Sequence, residues 1–236
     1  MTPLKIARIG IYCLSFLCIN QAIAGIDVGG TRLIYHANNK EESIKINNPE
    51  ESVPYLIQSW TDNNGVKGDD PSANKPPFIV TPPLFRLNPD NSHELRVIRT
   101  GGDFASDRET MYWLNIKSIP AKPVQNAENT LQISVKTRMK LIFRPEILKG
   151  DPTIEAKKLR FYRNGNVLRV ENPTGYYMTF FKLSLGKKPL NTIDNMVPPM
   201  GSATYKLTGD ISSTDVTWQI INDYGGASPE YKAAVS

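Results

Sequence analysis

From Leu131 to Phe143 every second residue is apolar or small: Leu131, Ile133, Val135, Thr137, Met139, Leu141 and Phe143. The interleaved positions are Gln132, Ser134, Lys136, Arg138, Lys140, Ile142 and Arg144. A period of two held over thirteen residues predicts a long β-strand. Pro145 ends it, having no amide hydrogen with which to extend a ladder. By pattern alone, the apolar face of such a strand packs against its own core. No stretch keeps a 3.6-residue apolar period for three turns, so helix content is expected to be small.

The first 24 residues read differently from the rest. Lys5 and Arg8 precede an apolar run from Ile9 to Ile19, and Ala22 and Ala24 supply the small residues that a signal peptidase reads. The run is too short for the roughly 20 residues of a spanning helix. A secretory signal over residues 1–24, cut between Ala24 and Gly25, is therefore expected. Both cysteines, Cys13 and Cys18, would leave with it, and the formal charge of +5 would fall to about +3. The exported product then has no disulfide, no thiolate metal site and no cysteine nucleophile. Its mild basicity, without basic runs interleaved with aromatics, argues against a nucleic-acid partner.

The remainder reads as short β segments punctuated by turns. Expected strands are 26–35, 43–47, 55–61, 78–81, 84–87, 93–99 and 111–116, followed by the long strand at 131. Residues 47–49, 62–65, 68–71 and 88–90 carry the turn chemistry between them. The composition shifts to Pro, Gly, Lys and Asp near 146–153, a linker signal. Beyond it strands are expected at 158–162, 167–171, 176–185, 201–207, 216–222 and 231–235, with Asn164-Gly165 marking a hairpin. This predicts an all-β chain of two domains, an immunoglobulin-type sandwich over 25–147 and a second, smaller β domain over 148–236.

Chemistry for catalysis is hard to find. The residues from Gly25 to Leu33 (GIDVGGTRL) look like a sugar-kinase phosphate loop, but only two residues would precede Asp27 in the mature chain, and no second such loop follows. His36 and His93 have no flanking ligand pattern, and no Gly-x-Ser-x-Gly elbow is present. The acidic pairs Glu41-Glu42 and Asp69-Asp70 fall in turn-like segments. Nothing assembles a nucleophile, a base and an oxyanion donor, so a binding module is favoured over an enzyme, with no cofactor and no metal.

Three blocks carry a resemblance. Residues Phe104 to Ala121 (FASDRETMYWLNIKSIPA), Leu131 to Pro145 with its terminal Phe-Arg-Pro, and Ile221 to Gly226 (INDYGG) closely resemble the periplasmic chaperones of chaperone–usher pili. Thr31-Arg32, Pro54 to Leu56 and Thr81 to Pro83 add weaker matches. The short, polar connection between Ile119 and Leu131 is similar to the family's short-loop subclass.

The resemblance implies two immunoglobulin-like β-sandwich domains at an angle with a cleft between them, in a chaperone that folds and caps pilus subunits in the periplasm, as one-to-one complexes, and delivers them to an outer-membrane usher. It places Leu131, Ile133 and Val135 in pockets of the subunit, completing its sandwich by strand donation. Arg32 and Lys140 would anchor the subunit's C-terminal carboxylate, and Glu109, Arg144 and Asp223 would form a charged network between domains. Pro54 and Leu56 would contact the usher and cover the chaperone's own groove. No small-molecule substrate is implied, and without a client the chain could cap itself as a dimer. The competing readings are an exported immunoglobulin-like structural or adhesive pilus component, and a β-rich exported enzyme.

Overall fold

The computed structural model describes residues 25–68, 75–121, 131–209 and 212–235. The expected signal peptide, the Asp69-Asp70 pair with the end of its turn, and most of the 119–131 connection lie outside the described residues.

Among the described residues the first half contains nine strands: β1 (Asp27–Val28), β2 (Arg32–His36), β3 (Glu41–Asn48), β4 (Tyr55–Asp62), β5 (Phe78–Thr81), β6 (Leu84–Leu87), β7 (Asn91–Arg99), β8 (Thr110–Pro120) and β9 (Val135–Arg144). They form two sheets, ordered β1-β3-β7-β5 and β2-β9-β8-β4-β6. All pairings are antiparallel except that of β2 with β9, which is parallel. The sheets enclose Tyr35, Ile46, Ile57, Leu95, Leu114, Ile116 and Leu141, all withdrawn from solvent. Period-two alternation places these residues inward and leaves their neighbours facing out.

The second half opens on α1 (Pro152–Glu155) and a 3₁₀ turn (Ala156–Lys158). Asp151 caps α1, accepting from the Thr153 amide at 2.8 Å, and Pro152 follows it in the first turn. The strands β10 (Arg160–Asn164), β11 (Val167–Asn172), β12 (Phe180–Leu185), β13 (Lys188–Pro189), β14 (Gly201–Lys206), β15 (Asp215–Ile220) and β16 (Tyr231–Ala234) come next. They are arranged as β10-β11-β14 and β13-β12-β15-β16. Phe161, Leu168, Met178, Tyr205, Val216 and Trp218 fill a separate core between them. The expected hairpin joins β10 to β11, with Gly165 at φ 56° in the first loop position, as a two-residue turn requires.

Four expected strands are corrected. The segment 26–35 breaks at Gly29 and Gly30: β1 belongs to one sheet and β2 to the other, with the Gly30 amide folded back onto the Val28 carbonyl at 2.7 Å. A chain crossing between sheets cannot keep one ladder. The long strand at 131 acquires ladder partners only from Val135 onward. The segment 176–185 divides into an isolated bridge, Met178 to Val197, and β12, which carries a register shift between Phe180 and Lys182. The first residue of the strand expected at 158–162 is the last of the 3₁₀ turn, and the Thr81–Pro82 peptide bond is cis.

Candidate functional site: a cationic pair at the end of an open strand edge

β9 has β8 along one side for its whole length, from Val135 opposite Ser118 to Phe143 opposite Thr110. On its other side β2 covers only Lys140 to Arg144. Among the described residues the backbone of Val135 to Met139 therefore has no ladder partner on that side, leaving an edge that is a template for another strand. Side chains change partner along the same strand. Leu131, Ile133 and Val135 are 85%, 64% and 50% exposed, whereas Met139 is 3% exposed and Leu141 fully buried. The apolar alternation thus changes character near Thr137: its second half enters the first core, and its first half joins no core among the described residues.

The open edge stops where β2 begins, and there the parallel register sets Arg32 directly beside Lys140. Both side chains reach across to the second half of the chain. Arg32 Nη1 donates to the Ile221 carbonyl at 3.2 Å, and Lys140 Nζ donates to Thr179 Oγ1 at 2.8 Å. Arg32 Nε is buried without a partner, which costs free energy unless something accepts from it. Burial, and secondarily the adjacent Arg32 charge, pulls the Lys140 ammonium down to about 8. Burial also lowers the Arg32 guanidinium, against the opposing pull of Asp223 and Glu109.

Both arginines of β9 are neutralised and Lys136 is exposed to solvent, which sets the half-buried pair apart. Arg138 donates to Asp62 Oδ1 at 2.6 Å and lies 4.1 Å over the Trp113 ring. Arg144 donates to Glu109 Oε1 at 2.7 Å and, through two nitrogens, to both oxygens of Asp223 at 2.7 and 2.8 Å. Among the described residues no carboxylate forms an ion pair with Arg32 or Lys140. Two half-buried positive charges with spare donors form a site for an anion.

The Arg144 network joins the two halves. Glu109 is 3% exposed; its Oε2 accepts the Tyr177 amide at 2.7 Å, and its own amide donates to the Gly175 carbonyl at 2.8 Å. Burial alone would weaken the Arg144 charge, but the hydrogen bonds and charges of Asp223 and Glu109 outweigh it and hold its pKa above the usual value. Asp223 is presented by a turn in which Asn222 Oδ1 accepts the amides of Tyr224 and Gly226 at 3.0 and 2.8 Å. Gly225 in that turn has φ 88°, and a Cβ there would sit 2.6 Å from Thr31 Oγ1. Gly225→Ala is expected to lose about 1–3 kcal/mol of stability by urea titration, by straining the turn and pushing the two halves apart.

The structure brings Arg32 together with Lys140, and Glu109 with Arg144 and Asp223. It leaves Pro54 and Leu56 elsewhere. Leu56, 42% exposed, lines a shallow apolar groove with Ile119, Pro120 and Gln132, across the sheet from Arg32. His36 meets Glu42 at 3.0 Å and His93 packs against the Phe85 ring, so each has a local partner. Thr179, the Ile221 carbonyl and the Tyr177 amide were not anticipated as site atoms. No spacing signal marks a hydroxyl or a backbone group that matters only because another domain packs on it. Among the described residues no group of three or more His, Cys, Asp or Glu could hold a metal, and no helix is long and apolar enough to cross a membrane.

Comparison with known proteins decides the family. Residues 25–149 match the pili and flagellar-assembly chaperone, PapD N-terminal domain, and residues 154–232 match the pili assembly chaperone PapD, C-terminal domain. The chain belongs to the pilus-assembly chaperone family. Chaperone protein FimC of Escherichia coli K12 is 40% identical over 220 residues, covering 92% of this chain and 87% of that protein. Among solved structures, the SafB chaperone in complex with the SafA pilin of Salmonella enterica shares 37% identity with a TM-score of 0.80, over 92% of this chain and 99% of that one. The E. coli chaperone DraB shares 33% identity at a TM-score of 0.76, over 90% and 97%. Two immunoglobulin-like sandwiches and a chaperone's role in pilus assembly, not an enzyme's, come with that membership.

Proposed function

We propose that the chain captures a pilus subunit by pairing its unpaired β9 edge with the subunit's last strand, whose terminal carboxylate seats between Arg32 and Lys140. The observation that carries this reading is that the open edge ends at the unneutralised cationic pair. A strand added to Val135–Met139 and ending at the start of β2 must run parallel to β9 to deliver a carboxylate there. Run antiparallel, it would bring an ammonium against two cations. Leu131, Ile133 and Val135 then supply apolar side chains to the subunit, each worth about 1.5–3 kcal/mol when fully buried, while the backbone supplies the ladder. The SafB chaperone, solved in complex with a pilin, supports a chaperone–subunit complex.

The Glu109–Arg144–Asp223 network keeps the second domain against the first, so that Thr179 and Ile221 hold the two cations in place. The groove around Pro54 and Leu56 remains free for the outer-membrane usher. Residues 1–24 act as the export signal, cut after Ala24, and deliver domains 25–147 and 148–236 to the periplasm. The reading is tested by co-expressing the chain with the pilus subunits encoded beside it and recovering complexes from periplasmic extract. Ile133→Asp is expected to leave the thermal midpoint unchanged, because Ile133 touches no core, and to abolish recovery of complexes. Recovery at the level of the unaltered protein would overturn strand donation.

A further inference from the structure

The backbone nitrogen of Gly25 donates to Glu50 Oε1 at 2.8 Å. The same carboxylate accepts the hydroxyl of Tyr55, a residue 7% exposed. Burial, reinforced by the bond to Glu50 and by its charge, pushes that hydroxyl up to about 12, so Tyr55 remains a donor. Glu50 is itself held by its backbone: its amide donates to Asn48 Oδ1 at 3.2 Å, and its carbonyl accepts the Asp90 amide at 3.0 Å. Asn48 is fully buried and donates in turn to the Val53 and Asn88 carbonyls at 2.8 and 3.1 Å. Among the described residues no lysine or arginine forms an ion pair with Glu50. The nitrogen is equally fixed. Ile26 and Val28 pack on the first core, Asp27 pairs with Asn47, and the Gly29 amide donates to the Lys45 carbonyl at 2.9 Å.

We propose that Glu50 and Tyr55 form a receptor site for the α-ammonium of the processed chain, so that signal removal turns an amide hydrogen bond into an ion pair that fastens the first strand. This rests on cleavage between Ala24 and Gly25. Hydrolysis of that amide consumes one water and leaves a carboxylate on Ala24 and an ammonium on Gly25. The amide offers one neutral donor. The ammonium offers three charged ones, and adds to the hydrogen bond the Coulombic attraction between opposite charges. Only the processed chain has this pair, so maturation completes the fold of the first domain. The benefit extends to the cleft, because the segment fastened at Gly25 crosses between sheets at Gly29–Gly30 and then becomes β2, which carries Arg32.

The test uses the full chain exported with its own signal, its N-terminus established by intact mass. Should it begin elsewhere than Gly25, the cleavage reading fails. The receptor site is then judged on a chain released to begin at Gly25 by a site-specific protease. The rate of α-amine acylation by acetic anhydride at neutral pH is compared between this protein and Glu50→Gln. An opposed charge that raises the amine by one pKa unit lowers its free-base fraction about tenfold, so acylation should be about tenfold faster in Glu50→Gln. One alanine inserted before Gly25 displaces the ammonium by about 3.8 Å. It should lower the thermal midpoint of the Glu50 protein and add no further loss to Glu50→Gln. Equal acylation rates, or an equal loss from the insertion with and without Glu50, would overturn the proposal. If Glu50→Gln does not fold, Glu50→Asp, which withdraws the carboxylate by one methylene, should accelerate acylation several-fold, and an unchanged rate sinks the idea.

Discussion

Arg144→Ala is expected to destabilise the protein by about 3–5 kcal/mol, the usual loss when one member of a buried ion pair is removed. The loss comes from what is left behind more than from what is taken away. Glu109 is 3% exposed, and without the guanidinium its carboxylate keeps only the Tyr177 amide as a donor. It must then either remain charged in an apolar setting or take up a proton. Arg144 also lies 5.2 Å from the Tyr176 ring and grips Asp223 with two nitrogens, so the second domain loses its main polar tether. Urea titration should show the destabilisation, and small-angle scattering a broader range of domain orientations. Asp223→Asn should cost less, because the Asp223 side chain is 28% exposed and water can replace part of its role. A variant Arg144→Ala that melts and scatters like the parent protein would remove the network from the account of domain orientation.

The other large effect is on binding. Arg32→Ala and Lys140→Ala should each weaken capture of an alternating apolar peptide with a free C-terminal carboxylate by about 1.5–3 kcal/mol, the worth of a charge-assisted hydrogen bond. That is roughly a tenfold to hundredfold loss, measurable by calorimetry. The same peptide as its C-terminal amide should bind the parent protein weakly and be indifferent to either substitution. Neither substitution should unfold the protein, since each removes a half-buried cation that forms no ion pair among the described residues. If the two variants discriminate acid from amide as well as the parent does, the carboxylate anchor is wrong.

Lys140 adds a pH dependence with a defined sign. Its folded pKa is depressed to about 8 from 10.5. Below pH 8 the folded chain carries the charge at a cost that the unfolded chain does not bear. As pH rises from about 8 to 10.5 the folded state gives up the proton first, and stability increases. A bound carboxylate favours the charged form, so peptide affinity should fall across that same window. Lys140→Arg should keep its affinity there.

Particular residues show where reading the sequence succeeds and where it stops. Alternation of 2 is a local property, so it located β7, β8 and the paired part of β9, and glycine at a two-residue turn located the hairpin before β11. The same alternation could not show that Ile133 and Leu141 serve different cores, because both look alike until the partners on each side of β9 are known. Gly29 and Gly30 were visible as glycines, but not as the point where the chain leaves one sheet for the other. The resemblance to pilus chaperones named Arg32, Lys140, Glu109, Arg144 and Asp223. It did not explain why Lys140 differs from Arg138 two residues earlier, on the same face. That difference is made by Asp62, 76 residues away in sequence, and only folding brings it there.

The free edge of β9 also makes occupancy a matter of competition. One edge admits one strand, so a client, a second copy of the chain and an unrelated β-prone segment exclude one another. Any self-association through this edge would lower the apparent affinity for a client as the chaperone itself becomes more concentrated, since only the fraction left uncovered can bind. Raising expression beyond that point would increase the stock of chaperone faster than its working capacity.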